Sequence, residues 1–399
     1  MAQHGFAPPS AKEIGPAPLF RERFRFIQPT LPPLERVVSA YAPVFRQGLI
    51  TNGGLVARLE AAVCERLGVR HCVAVSSCTS GLMLVMKSLG LQGEVILPSF
   101  TFFATGHAAL WNGLTPVFAD CDAGTWNIDP RAVEQAITPR TSAIVAVHLY
   151  GNPAPVAELE WIAQQHGLKL LFDAAHAFGA GYKGQTVGRF GDAEVFSLSP
   201  TKLLVAGEGG LVCTNDALLA HKVRAGRNYG DLGSYDPMLL GLNARMTEFN
   251  AALALAGLDL VPAKIRRHNR IAALYTSELD GTPGISFQRV PPGHVSTYKD
   301  YSVRVDPEGF GMTRDELAVA LLAENIETKK YFHPPLHQQA LFRPYLAATP
   351  GALTATDEIS ASVLSLPVYE SLPQNTVRQI AWAIRNSQHL GRGRGARAC

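Results

Sequence analysis

Seven short apolar runs, most of them separated by segments of helical length, constrain the fold of this chain more than any other feature. They fall at His71–Val75, Glu94–Leu97, Pro116–Ala119, Ser142–His148, Lys169–Phe172, Ala193–Leu198 and Gly210–Cys213. All are rich in Val, Ile, Leu and Phe and lack a polar–apolar alternation, as strands buried on both faces do. Helical segments lie between several of them, at Ser80–Leu89, Ala104–Asn112, Arg131–Ile137 and Ala154–His166. This order predicts an α/β fold, a mainly parallel sheet with helices on both sides. A further helical pattern precedes the first run, through Leu55, Leu59, Val63 and Leu67.

The texture changes after Thr247. Phe249–Leu258 and Ala263–Leu279 read as two long helices, with Pro262 starting the second. Ser286–Arg289 and Tyr298–Val305 read as strands, and Thr313–Ala323, Asp357–Leu364 and Thr376–Arg385 as helices. The expected organisation is an N-terminal arm (1–30), a large domain (31–262), a smaller C-terminal α+β domain (263–390) and a disordered Gly/Arg-rich tail (391–399). With 399 residues, 47% hydrophobic and a net charge of +3, the chain has material for a large core. It lacks the charge excess of a disordered or nucleic-acid-binding protein. No apolar run is long enough for a membrane span, and the N-terminus lacks the apolar stretch of a secretory signal. Six scattered cysteines without a CxxC pair fit reduced thiols in a cytoplasm. No cluster has metal-ligand spacing: His333 and His337 are separated by Pro334 and Pro335, which keeps them off a common helical face.

Four stretches carry chemistry. The run ending near Ser197 leads into a loop that presents Lys202, followed by Gly207, Gly209 and Gly210. A loop lysine is ordinarily solvated; a desolvated one with a lowered pKa is a Schiff-base nucleophile. Asp173 closes the apolar run Leu170–Phe172, at the carboxyl end where open α/β sheets bind ligands. It could serve as a helix cap or as the carboxylate facing a protonated pyridine nitrogen. Lysine and aspartate at neighbouring strand ends match the needs of pyridoxal phosphate. Ser76, Ser77, Cys78 and Thr79 join a strand to a helix whose first N–H groups suit a phosphate. Phe100, Phe102 and Phe103 offer aromatic rings for stacking, and spacing alone does not choose among them. His176 reads equally as a packed structural residue. No strand is followed by GxGxxG, which argues against a nicotinamide-binding protein.

Taken together, residues 26 to 388 resemble the pyridoxal-phosphate-dependent nucleotide-sugar aminotransferases of the DegT/DnrJ/EryC1/StrS type, of fold type I, most of all those that aminate a TDP-4-keto-6-deoxyglucose. The resemblance rests on ordered landmarks: Gly48–Gly54, Glu94–Phe102, Thr115–Asp120, Val147–Gly151, Asp173–Ala177, Ser197–Lys202 with Gly207–Gly210, Gly241–Glu248 and Tyr331–His337. It implies a seven-stranded, mostly parallel sheet. It also implies that Lys202 forms the imine with the cofactor and shuttles the proton, that Asp173 pairs with the pyridinium nitrogen and that Phe102 stacks on the ring. Cys78 and Thr79 would hold the phosphate through backbone N–H groups, Ser197 through its hydroxyl, and His176 would sit beside the ring. Asn243 would reach the cofactor phosphate of a neighbouring subunit in a homodimer with shared active sites. Tyr331 and His333 would face the sugar nucleotide. Two positions depart from the family pattern, Cys78 where Gly is frequent and Leu203 where Asn is frequent. A dehydratase branch of the same fold has His in place of the lysine, and Lys202 argues against it. The implied reaction moves the amino group of glutamate, or glutamine, to the keto sugar nucleotide. Amination at C3, a cyclitol acceptor, and a non-catalytic sensor that binds the cofactor are the alternatives.

Overall fold

The computed structural model describes residues 18–395, with side chains to Gln388. The first 17 residues of the expected arm, and 396–399 of the expected tail, lie outside the described residues. The seven apolar runs form one sheet: β1 (His71–Val75), β2 (Glu94–Pro98), β3 (Thr115–Ala119), β4 (Thr141–Val147), β5 (Lys169–Asp173), β8 (Ala193–Ser197) and β9 (Gly210–Thr214), with the short hairpin β6 (Gly181–Tyr182) and β7 (Gln185–Thr186) between β5 and β8. The strand order is β1-β9-β8-β5-β4-β2-β3. From β8 to β3 every pair is parallel; β9 alone runs against both its neighbours. Strand β1 is therefore parallel to β8, and the carboxyl ends of β1, β8, β5, β4 and β2 share one edge.

The absence of polar alternation has a direct cause. Alternate residues of each strand enter two different cores: Cys72, Ala74 and Ile96 on one face, Val73, Val75, Val95 and Leu97 on the other. The first face is covered by α1 (Leu34–Gln47), α2 (Gly54–Leu67), α6 (Val156–His166) and α8 (Glu248–Leu258), and the second by α3 (Cys78–Ser88), α4 (Phe103–Trp111) and α7 (Ala217–Gly226). Short α5 (Pro130–Gln135) lies between β3 and β4. Two of these helices, α1 and α7, were not anticipated.

Helix α9 (Val261–Leu279) joins two cores. Its Val261 packs in the first large core, whereas Ile271, Ala272, Tyr275 and Leu279 belong to a third. That third core is built on an antiparallel sheet, β10 (Ile285–Phe287), β11 (Tyr301–Val305) and β12 (Val363–Leu366), with α10 (Pro307–Phe310), α11 (Arg314–Ala323) and α13 (Gln374–Gly395), while α12 (Thr354–Ser362) places Ile359 in a small separate cluster with Phe100, Tyr150 and Phe332. Phe20 from the N-terminal segment is buried in it. Two expectations need correction. The helix expected to run to Leu364 ends at Ser362, because Val363–Leu366 pairs with β11. The tail expected from 391 begins as the continuation of α13, which runs to Gly395.

One buried carboxylate ties the N-terminal helices to this framework. Glu248, fully buried at the start of α8, accepts hydrogen bonds from the N–H groups of Gly53 (2.8 Å), Leu55 (2.7 Å) and Val56 (3.0 Å). It caps α2 from a distance, in place of the local side-chain cap that Gly53 cannot supply. Glu248→Ala leaves those donors unpaired in a dry site. The expected loss is about 3 kcal/mol or more, read as a lower urea midpoint with an unchanged slope.

Candidate active site

The shared edge of the parallel strands opens on a cavity of about 340 Å3. Asp173 ends β5, Ser197 ends β8, and Cys78 and Thr79 open α3 just beyond β1; all four line it, with Phe102, His176, Lys202 and Tyr331. The register explains the convergence. Gly210 is paired with both Val75 and Ser197, and Asp173 with Val147 and Val195. Of the ten residues singled out from sequence, eight meet here. Asn243 and His333 do not line this cavity. Asn243 is exposed in an extended bridge with Asn228. His333 turns away, its Nδ1 3.1 Å from Ser360 Oγ, and Phe332 lines the cavity in its place.

The electrostatics centre on Lys202. Burial, and secondly the nearby Lys299 ammonium, push its amine down to about 8, so a far larger fraction of it is uncharged near neutral pH than of an ordinary lysine. Its loop is anchored by the buried Lys264, whose Nζ donates to the carbonyls of Leu203 (2.9 Å) and Thr30 (2.7 Å). Position 203 is thus held through its backbone, and its Leu side chain is buried. Asp173 is buried, and burial pushes its carboxyl up. Opposing this, Thr105 Oγ1 donates to Oδ2 at 2.8 Å and the Ala175 N–H to Oδ1 at 3.1 Å. Lys202 and His148 add favourable charge.

His176 is kept neutral by burial and by Lys202 and Lys299. The N–H of Tyr150 donates to its Nδ1 at 3.2 Å, which assigns the ring hydrogen to Nε2. Phe102, at the N-cap of α4, is 44% exposed, with its ring 3.9 Å from that of the equally exposed Phe103 and 6.1 Å from that of the buried Phe332. Its ring offers an open aromatic face at the cavity.

The start of α3 is shaped for an anion. A Ser77–Ser80 capping box holds the turn, and the N–H groups of Cys78 and Thr79 have no acceptor inside their own helix. Cys78 lies within the helix, where a side chain is allowed, so replacing the frequent Gly costs no backbone strain. The tight position is Gly210 instead. A Cβ there would lie 2.6 Å from Cys78 N and from the carbonyl carbon and oxygen of Ser77.

Other cavity residues gave no signal in the sequence. Lys299 and Asp300 are both buried, with Nζ 2.7 Å from Oδ1, and line the wall. They come from a segment distant in sequence, and only topology brings them to the cavity. His148 and Glu194 form a buried pair beneath Asp173: Nε2 is 2.9 Å from Oε1, and the imidazole stacks on Phe172 at 4.8 Å. The signal that could have flagged them is a charged residue inside an apolar run. Five cysteines among the described residues are free, four of them buried. Among the described residues no group of His, Cys, Asp or Glu has a metal-holding arrangement, and no helix is long and apolar enough to cross a membrane.

A lysine with a lowered pKa, a buried carboxylate, an open aromatic face and a helix start pressed against a glycine together fit pyridoxal phosphate. Comparisons with known proteins agree. Residues 35–385 match the DegT/DnrJ/EryC1/StrS aminotransferase family, and the chain belongs to that family, whose aminotransferases depend on pyridoxal phosphate. It is 37% identical over 358 residues to the dTDP-4-amino-4,6-dideoxy-D-glucose transaminase of Escherichia coli, covering 88% of this chain and 95% of that one. It is 38% identical over 334 residues to a UDP-N-acetyl-3-dehydro-alpha-D-glucosamine 3-aminotransferase of Acidithiobacillus ferrooxidans, covering 83% and 88%. Among solved structures, DesI in the presence of its TDP-sugar product superposes with a TM-score of 0.89 at 39% identity, covering 96% of this chain and 97% of that one.

Two measurements test this site. Gly210→Ala should displace the first turn of α3 and weaken pyridoxal phosphate binding at least tenfold in equilibrium dialysis, with the far-ultraviolet spectrum unchanged. In the cofactor-free protein, the rate of pyridoxal phosphate capture should rise with pH around a midpoint near 8. Lys299→Met removes a like charge and leaves Asp300 unopposed. Both changes favour the charged lysine, so the midpoint should move upward.

Proposed function

We propose that this enzyme transfers the amino group of glutamate to C4 of a TDP-linked 4-keto-6-deoxy sugar. The observation that carries the reading is the meeting of Lys202 and Asp173 in one cavity, in a chain similar over nearly its whole length to a dTDP-4-amino-4,6-dideoxy-D-glucose transaminase and to DesI. The relatives also include 3-aminotransferases of UDP sugars, which supports amination at C3 as the second reading.

When bound, pyridoxal phosphate supplies an aldehyde that captures amines and a ring that withdraws electrons. The chain's own groups do the rest. The first-turn N–H groups of Cys78 and Thr79 and the Ser197 hydroxyl would hold its phosphate. Asp173, fixed by Thr105 and Ala175, would hold the ring nitrogen protonated. Phe102 would cover one face of the ring. Lys202 Nζ, with its pKa lowered to about 8, would take a proton from the amine-bearing carbon and return it two atoms away, general acid–base work that needs a pKa near the working pH. His176, neutral and locked by the Tyr150 N–H, orients beside the ring without adding charge. Tyr331, which lines the cavity, would face the acceptor.

The active form is a homodimer in this reading. Leu34, Val38, Phe45, Leu49, Ile50 and Phe249 are all exposed by 47% or more on α1, the start of α8 and the segment leading to α2. That is more apolar surface than a monomer ordinarily leaves in water. Asn243, exposed in its own chain, is then available to the neighbour's phosphate site.

The purified protein, given TDP-4-keto-6-deoxyglucose and glutamate, should yield the 4-amino sugar nucleotide and 2-oxoglutarate in equal amounts. Lys202→Ala should lower the rate by roughly a thousandfold or more. Absence of both products from the wild-type enzyme overturns the reading; an amino group at C3 from a 3-keto substrate selects the alternative.

A further inference from the structure

The geometry points to Lys299 and Asp300 as the element that reads a ring hydroxyl of the acceptor sugar, a donor and an acceptor held side by side. The inference rests on the nucleotide-sugar reading above. Both residues line the cavity that holds Lys202 and Asp173, yet neither belongs to the set assigned to the cofactor. Their side chains are only 3% and 1% exposed.

Their backbone is stitched to the large domain. The Lys299 N–H donates to the Tyr150 carbonyl (2.9 Å), the Thr297 N–H to that of Gly151 (3.2 Å), and Thr297 Oγ1 to that of His176 (2.6 Å). The pair is therefore fixed relative to His176 and the cavity floor. Lys299 Nζ also lies 5.7 Å from the centre of the Tyr331 ring, which places the ammonium between the acidic partner and a cavity wall.

The pair is incompletely satisfied. Asp300 Oδ1 takes Lys299 Nζ at 2.7 Å, while Oδ2 is buried with no hydrogen-bond partner. An ammonium has three donors and here spends one on a carboxylate. A buried acceptor without a donor is costly, and such groups in native proteins call for a partner. The ligand that suits this site both donates and accepts. A carboxylate only accepts, and would face the unpaired oxygen of Asp300. A sugar hydroxyl donates to Oδ2 and accepts from Nζ, with no net charge change. A site built this way discriminates strongly against an analogue that lacks the hydroxyl, because the protein groups are then left unpaired.

The test uses the holoenzyme and three variants: Asp300→Asn, Asp300→Leu, and the double variant Lys299→Gln/Asp300→Asn, which keeps uncharged donors and acceptors. Probes are dTDP-4-amino-4,6-dideoxyglucose and its 2-deoxy and 3-deoxy counterparts, bound at equilibrium and followed by calorimetry. The donor half-reaction is followed separately, as the loss of cofactor absorbance on adding glutamate at each variant's optimal pH. The wild type should prefer the fully hydroxylated ligand to one deoxy counterpart by about 100-fold. Asp300→Leu should bring that ratio to within threefold by lowering affinity for the fully hydroxylated ligand more than for the deoxy one, and, because Asp300 helps Lys202 hold its proton, should move the pH optimum of the donor half-reaction downward. The double variant should restore part of the preference. Should Asp300→Leu not fold, the same ratio in Asp300→Asn decides. The inference is overturned if the wild type ignores both hydroxyls, if the variants keep its preference, or if they weaken every ligand and the donor step alike. If the wild type binds none of the sugar nucleotides, the function proposed above falls, and this inference with it.

Discussion

Lys202 must be sheltered enough to lose its charge and close enough to Asp173 to share one ligand, and the large sheet meets both demands through its strand directions. Because β9 opposes both its neighbours, β1 regains the direction of β8 and β5. Three carboxyl ends, and the helix that follows β1, then face one cavity. Gly210, the first residue of β9, is the point at which the anion-binding turn and the lysine's parent strand come closest. Reversing any one of these strands would send Asp173, Ser197 or Cys78 to the opposite edge.

Electrostatics and packing reinforce each other at this edge. The apolar cores on both faces exclude water from the strand ends, and burial lowers the pKa of the lysine amine. The same exclusion would push the Asp173 carboxyl to protonate, and here the structure opposes it with a threonine hydroxyl and a backbone N–H. Burial thus moves both groups toward their uncharged forms, and the hydrogen bonds to Asp173 limit how far its carboxyl is raised.

Much of this was readable in the residues. The seven strands announced themselves because each is buried on both faces, and Lys202, Asp173 and the turn at Cys78 stood at strand ends. Other parts were hidden for physical reasons. Strand β12 follows α12 without a break, so Val363–Leu366 reads as the end of a helix until its pairing with Tyr301–Arg304 is seen. Lys299 and Asp300 fall in a run that reads as the start of a strand, Tyr298–Val305, whereas the strand begins at Tyr301 and backbone contacts to Tyr150 and His176 carry the pair inside. His333 was tied to the site by its neighbourhood in sequence, whereas the cavity takes Phe332 and leaves the imidazole to Ser360. Glu248 is a similar case: its partners are nearly two hundred positions away in the chain.

Helix α9 passes from one core to another without interruption, rooted at Val261 beside the large sheet and ending at Leu279 beneath the small one. A rod of 19 residues with its only proline in the first turn resists bending along its length. The C-terminal unit is accordingly mounted on a stiff axle, and any swing of Tyr331 toward or away from Lys202 has to be taken up by rolling or sliding about that axle.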